Sequence, residues 1–120
     1  MAEDLRAALV RLTSGDLTAL AIVERAALDA IQEAATDGAS LVVRGATVAT
    51  VIGHLVVDRS QTDAIRRWAS LIARDIDADW EPEEPVRAAL MRLDALGDVV
   101  DGEITDEEAA ALTASLRAAR

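Results

Sequence analysis

Residues 41–57, LVVRGATVATVIGHLVV, are almost wholly apolar, yet they sit in a chain whose formal charge is −10. Only Arg44 and His54 interrupt the run. A segment of that kind must be buried, and the rest of the chain has to supply the cover. Two local structures satisfy the demand. One is a helix that is apolar all round, with Gly45 and Gly53 at close contacts. The other is a short meander with turns at Arg44-Gly45 and Gly53-His54, which its β-branched content favours. Helical patterns on both flanks, and the lack of another strand to complete a sheet, favour the helix. A membrane span is disfavoured, because the stretch between Arg44 and His54 is too short to cross a bilayer.

The flanks read as helices. Leu5, Leu9 and Leu12 recur at helical spacing over 3–13, with Glu3 and Asp4 at the positive end of the dipole. Ser14 and Gly15 break that helix, and Thr13 or Asp16 caps the next. A long helix over 17–35 follows, with Leu20, Val23, Ala27 and Ile31 on one face, Ile22 and Leu28 widening it, and Asp37-Gly38 as its stop. Ser60 and Asp63 form a variant capping box for a helix whose buried stripe is Ile65, Trp68, Ala69, Ile72 and Ile76. Residues 77–85, DADWEPEEP, read as an acidic linker, with Pro85 in the first turn of the next helix. Val86, Leu90, Leu93 and Leu96 carry that helix to Gly97. The last helix opens at Thr105, which makes a capping box with Glu108, while Ile104 and Ala109 form the staple. The expectation is one all-α domain over 1–120: a compact bundle of five or six helices, with a C-terminal helical hairpin over 86–118.

The core of such a bundle has an unusual composition. Phe, Tyr and Cys are absent, and Trp68 and Trp80 are the only aromatics. Leu, Ile, Val and much Ala must fill the interior, which suits closely packed helices. Disulfides and thiolate metal sites are excluded. Every basic residue is Arg, and the lack of Lys and Asn beside abundant Ala, Val and Asp fits GC-rich coding, pointing to a bacterial source. The acidic, amphipathic start MAEDLRAALVR lacks the features of a signal peptide, so a cytoplasmic protein is expected.

Charge is uneven: residues 1–38 carry −4, residues 39–80 zero and residues 81–120 −6. That balance disfavours nucleic acid and anionic membranes and leaves a basic protein as a partner. Catalytic groups are scarce. Nucleophile-and-base chemistry has one His, no Cys and no Lys to draw on, and the carboxylate nearest in sequence to His54 is Asp58. No Glu-x-x-His and no phosphate-cradling Gly motif occurs. The expectation is a non-enzyme without cofactor. In rhythm, ATVATVIGHL within 46–57 resembles the second helix of a helix-turn-helix, but it holds no Arg, Asn or Gln to read base edges. Arg44, Arg59, Arg66, Arg67 and Arg74 are matched by five local acids.

Near the C-terminus, Asp101-Gly102, Ile104 and Glu108 stand at the spacing of a calcium loop's acidic ligand, sharp turn, core aliphatic and bidentate Glu. Residues 93–116 thus resemble an EF-hand helix–loop–helix, a resemblance that covers about a fifth of the chain. Its first and third ligand positions fall on Gly97 and Val99, which offer no side-chain oxygen, so a structural turn without calcium is expected. The same residues, with Gly102, Ile104, Thr105, Glu107 and Glu108 matching G-x-I-T-x-E-E, also resemble the short helical-hairpin module called SHOCT. That resemblance implies attachment or oligomerisation.

The sequence therefore points to a protein–protein interaction module of the adaptor, oligomerisation or inhibitor type. Two surfaces are candidates: Val48 and Ile52 in the apolar run, as a shared interface, and Trp80 with Glu83 and Glu84 in the acidic linker. The partner is a second copy or another protein. The alternatives are an accessory DNA-binding regulator with a helix-turn-helix and, more distantly, a small enzyme centred on His54.

Overall fold

The computed structural model describes residues 5–36, 40–76, 78–96 and 102–118. Among these, seven α-helices pack around one aliphatic core together with a two-stranded parallel sheet. Glu3, Asp4, Asp37, Gly38, Gly97, Val99 and Asp101, for which capping, stopping or ligand roles were considered above, lie outside the described residues.

The first helix, α1 (Leu5–Thr13), buries Leu9 and Leu12 and ends at Gly15, whose φ of +90° belongs to the left-handed region. Asp16 caps the turn that follows, accepting from the Thr18 amide at 3.0 Å and the Thr18 hydroxyl at 2.6 Å. These bonds and the Arg11 guanidinium hold its carboxyl below the ordinary carboxylate range. Thr13 is buried instead and bonds back to the Leu9 carbonyl.

The long helix expected over 17–35 is broken. A 3₁₀ turn (Leu17–Ala19) leads into α2 (Leu20–Glu24), and after a bend comes α3 (Leu28–Thr36). A straight rod of that length would run about 28 Å and carry Ile31 away from the core. The bend instead lets α2 pack against the helix containing Trp68 while α3 folds back along α1. Arg6 secures it there, donating to the Ala34 and Ala35 carbonyls at 3.1 and 2.9 Å. Leu28, expected to widen the apolar face, is exposed.

The apolar run divides at Gly45. Its first four residues form β1 (Leu41–Arg44), and the remainder forms α4 (Gly45–Val57). The strand exists because the segment read as a linker supplies a partner: β2 (Ala78–Glu81) pairs with it in parallel, Leu41 opposite Ala78 and Val43 opposite Trp80. Leu41 and Val43 are buried and alternate with the less buried Val42 and Arg44. In α4 the buried residues are Gly45, Val48, Ala49, Val51, Ile52 and Leu55, covered chiefly by the last helix.

Between the strands, α5 (Thr62–Ser70) continues into a wide π-turn (Leu71–Asp75), and all five residues of its expected stripe are buried. The Ser60–Asp63 box does not form. Asp58 takes the capping role, accepting from the Ser60 amide at 3.0 Å and hydroxyl at 2.6 Å, which lowers its pKa. Asp63 binds Arg66 and Arg67 instead, and its pKa is also lowered. Trp68 is fully buried, and its indole donates to the Leu12 carbonyl at 2.7 Å, tying α5 to the end of α1. After β2, a cis Glu81–Pro82 bond leads into α6 (Glu83–Asp94), which buries Val86, Leu90 and Leu93 against α5. Pro85 lies in its first turn. The last helix is α7 (Asp106–Ala118).

The two glycines of α4 separate cleanly. A Cβ on Gly45 would stand 3.0 Å from the Leu116 carbonyl oxygen, because the start of α4 touches the end of α7. A Cβ on Gly53 would meet nothing within 4 Å, so the close contact expected there is absent. Gly45→Ala should cost about 1–3 kcal/mol by overpacking. Gly53→Ala should stabilise by about 0.5–1 kcal/mol through helix propensity. Urea unfolding of both variants checks the pair, and equal effects of one sign would contradict the packing.

Asp16, Asp58 and Asp63 all titrate below the usual 3.8. Their folded-state pKa values lie under their unfolded ones, so their stabilisation is complete above 3.8 and fades as pH falls through the lower values. Asp58→Asn keeps the acceptor but removes the titration. Its melting temperature should trail the wild type at neutral pH and converge with it in acid, as read by thermal melts between about pH 7 and 2.5.

Candidate functional site

Five surface residues were singled out from sequence, and the structure separates them into two groups. Val48 and Ile52 have no exposed surface; both lie in the chain's own core. Most of the apolar run is thus consumed internally, and those two residues offer no surface to a partner. The same holds for the stripe from Ile65 to Ile76. Among the described residues, the exposed large apolar ones, Val10, Leu28, Val56, Val57 and Met91, lie on four different helices.

Trp80, Glu83 and Glu84, by contrast, come together with two residues the sequence reading passed over. A groove of about 430 Å³ follows β2, lined by Ala78, Asp79, Trp80, Glu81 and Glu83. Alternation along the strand explains the lining. Ala78 and Trp80 are half-buried, while Asp79 and Glu81 point to solvent. The start of α6 adds Glu83 and Glu84 in its first turn, where the helix dipole favours acids. Arg44 reaches Glu81 at 3.1 Å, and Arg87 reaches Glu83 at 2.6 Å and Glu84 at 3.8 Å. Asp79 has no ion pair among the described residues. The Arg87 guanidinium also lies 5.6 Å from the centre of the Trp80 ring, a cation–π contact. The indole nitrogen of Trp80 is buried and finds no acceptor among the described residues. The missed signal was the period-two pattern A-D-W-E, readable as a strand once LVVR is seen as its mate.

A second cleft, about 500 Å³, opens where both strands end, lined by Arg44, Gly45, Ala46, Glu81, Pro82, Leu116 and Arg117. Its ionic groups include the Arg44–Glu81 pair already described. His54 is exposed on α4, and the carboxylate expected to orient it is committed elsewhere: Asp58 bonds Ser60. The five arginines near the helix-turn-helix-like segment are each held by acids. Besides Arg44, Arg59 reaches Asp106 at 2.7 Å, Arg66 reaches Asp63 at 2.8 Å, Arg67 reaches Glu24 at 2.5 Å and Arg74 reaches Asp94 at 2.6 Å.

In the C-terminal hairpin, the Thr105 hydroxyl accepts from the Glu108 amide at 3.1 Å, the expected cap. The Glu108 side chain does not close the reciprocal half of the box. It forms a two-point pair with Arg92, 2.7 Å from Nε and 3.1 Å from Nη2. Arg92 also donates to the Gly102 and Glu103 carbonyls at 3.2 and 3.3 Å. Its guanidinium takes two sets of oxygens that a calcium ion would use from the second half of such a loop, the Glu103 carbonyl and the Glu108 carboxylate. No group of three or more potential metal ligands occurs among the described residues. None of the described helices is long and apolar enough to cross a membrane. No protein-family model matches the chain, and no curated protein or solved structure matches it either.

Arg92→Ala should cost about 1–3 kcal/mol, since it removes charge-assisted bonds from a largely buried guanidinium. Thr105→Ala should cost about 1 kcal/mol as a lost cap. Calorimetric titration with micromolar calcium should give no heat; a stoichiometric isotherm abolished by Glu108→Gln would overturn this description of the loop.

Proposed function

We propose that this chain is a non-enzymatic protein–protein interaction module of the cytoplasm, and that it engages its partner at the edge of the small sheet around Trp80. The observation that carries the reading is the groove along β2, where a tryptophan and several acids are gathered beside a strand that has one neighbour among the described residues. Amphipathic aromatics such as Trp anchor protein interfaces, with charged groups at the rim. The indole donor, buried and without an acceptor among the described residues, supports the reading from energetics. An unsatisfied buried donor costs about 1–3 kcal/mol, and a partner that draws the ring outward onto a carbonyl would recover that. The partner is a different protein. Two copies meeting at this edge would bring Asp79, Glu81, Glu83 and Glu84 of each against the same acids of the other.

Trp80→Phe gives the first discriminating measurement. It removes the unmet donor, so the isolated protein should be as stable as the wild type or slightly more so, while partner binding weakens. Asp79→Arg serves as the surface control, because it reverses an exposed charge that has no ion pair among the described residues. Immobilised wild type and the Trp80→Phe/Asp79→Arg variant are exposed to extract from the source organism, and retained proteins are purified and titrated calorimetrically. A protein that binds wild type and loses at least tenfold affinity for the variant, both folded by circular dichroism, is the expected result. Equal retention by both proteins, or no retention by either, would sink the reading.

A further inference from the structure

Resting on that reading, we propose that the groove along β2 receives an extended, basic segment of the partner, which adds to the sheet as a third strand with basic and apolar residues alternating. The backbone of β2 is committed on one side only. Its ladder runs to β1, and no other backbone or side-chain group bonds residues 78–81 through their main chain among the described residues. A parallel pair four residues long is far below the size at which a sheet is self-sufficient, and an open strand edge is a template for another strand. The groove is lined by every residue of β2, so it follows the full edge of about 13 Å.

Side-chain alternation then fixes the chemistry of the occupant. Strand partners place same-face residues side by side. Asp79 and Glu81 face solvent, so the incoming residues next to them sit in a negative field. Glu83 and Glu84 deepen that field, and although Arg44 and Arg87 offset it in part, four acids face two arginines. Those incoming positions call for Arg or Lys. Ala78 and Trp80 face inward, so the alternate incoming positions call for compact apolar side chains. An acidic segment is repelled, and so is a second copy's ADWE strand. Main-chain bonds would supply affinity, and the charged positions would supply choice of partner.

The test uses the whole protein, labelled with nitrogen-15, and three synthetic peptides. The first alternates Val and Arg over seven residues. The second replaces Arg by Glu. The third is the Val–Arg peptide with its central residue changed to Pro, which cannot donate to a ladder. The Val–Arg peptide should bind saturably, shift the Trp80 indole signal and slow hydrogen exchange of outward-pointing amides within 78–81 at least fivefold. The Glu peptide should not bind. The Pro peptide, and the Val–Arg peptide on Asp79→Arg, should each bind at least tenfold more weakly. Trp80→Phe, which loses the indole signal, assigns it. The proposal is overturned if the Val–Arg peptide fails to bind or binds without protecting 78–81. Equal binding of the Glu peptide overturns it too, as does protection that rises with protein concentration alone. A partner that depends on Trp80 and Asp79 but leaves 78–81 exchanging freely would remove strand addition and leave the interaction module standing. Loss of both would remove both.

Discussion

The parallel pairing of Leu41–Arg44 with Ala78–Glu81 is small, but the placement of the surrounding elements depends on it. Parallel neighbours cannot be joined by a tight turn; the chain must leave one end of the sheet and return to the other. Here α4 and α5 make that return, which lays the most apolar helix across the molecule and brings Trp68 to the centre. Both strands also stop at the same end, so α4 and α6 start side by side there, and a Cβ on Gly45 would stand 3.4 Å from the Pro82 ring. Trp80 owes its position to the same register, which sets it opposite Val43 on the inward face.

That pairing is also where the sequence was hardest to read. Periodicity identified the stripe from Ile65 to Ile76, the buried positions of α6 and the cap at Thr105, because each is a local pattern on one helix. Nothing local tells LVVR that ADWE, more than thirty residues on, is its mate. Each segment is too short to declare itself, and Pro82 and the acids disguised the second as a linker. The bend after Glu24 was illegible for a similar reason: the apolar positions of α2 and α3 fit a single helical face, and only the need to reach two different neighbours breaks them apart. The candidate site was half legible. Trp80, Glu83 and Glu84 stood out as an aromatic among acids, whereas Asp79 and Glu81 acquire meaning only once the strand gives them a direction. Val48 and Ile52 were misread because the surplus of apolar residues proved to be what the core required.

The absence of lysine has a structural counterpart. Three arginines each serve a distant stretch of main chain: Arg6 at the end of α3, Arg59 at the Ile104 carbonyl and Arg92 at the Gly102 and Glu103 carbonyls. Arg59 and Arg92 grip a carboxylate with the same fork, on Asp106 and Glu108. An ammonium is a compact point charge and does not span two acceptors in a plane as a guanidinium does. With an interior built from small aliphatics, these forks lash the helix ends and the turn before α7 together.

Arg92 carries that arrangement furthest. The counter-charge for the turn before α7 is covalently part of the neighbouring helix, so it is always present at a high local concentration and cannot be diluted, chelated or outcompeted as a free ion can. A loop that borrows its cation from solution works as a gauge of how much cation there is. A loop whose cation is a side chain of the same chain does not depend on the concentration of a free one. Arg92 thus ties α6 to the first turn of α7, whose surface packs over α4, with a charge that the chain itself carries.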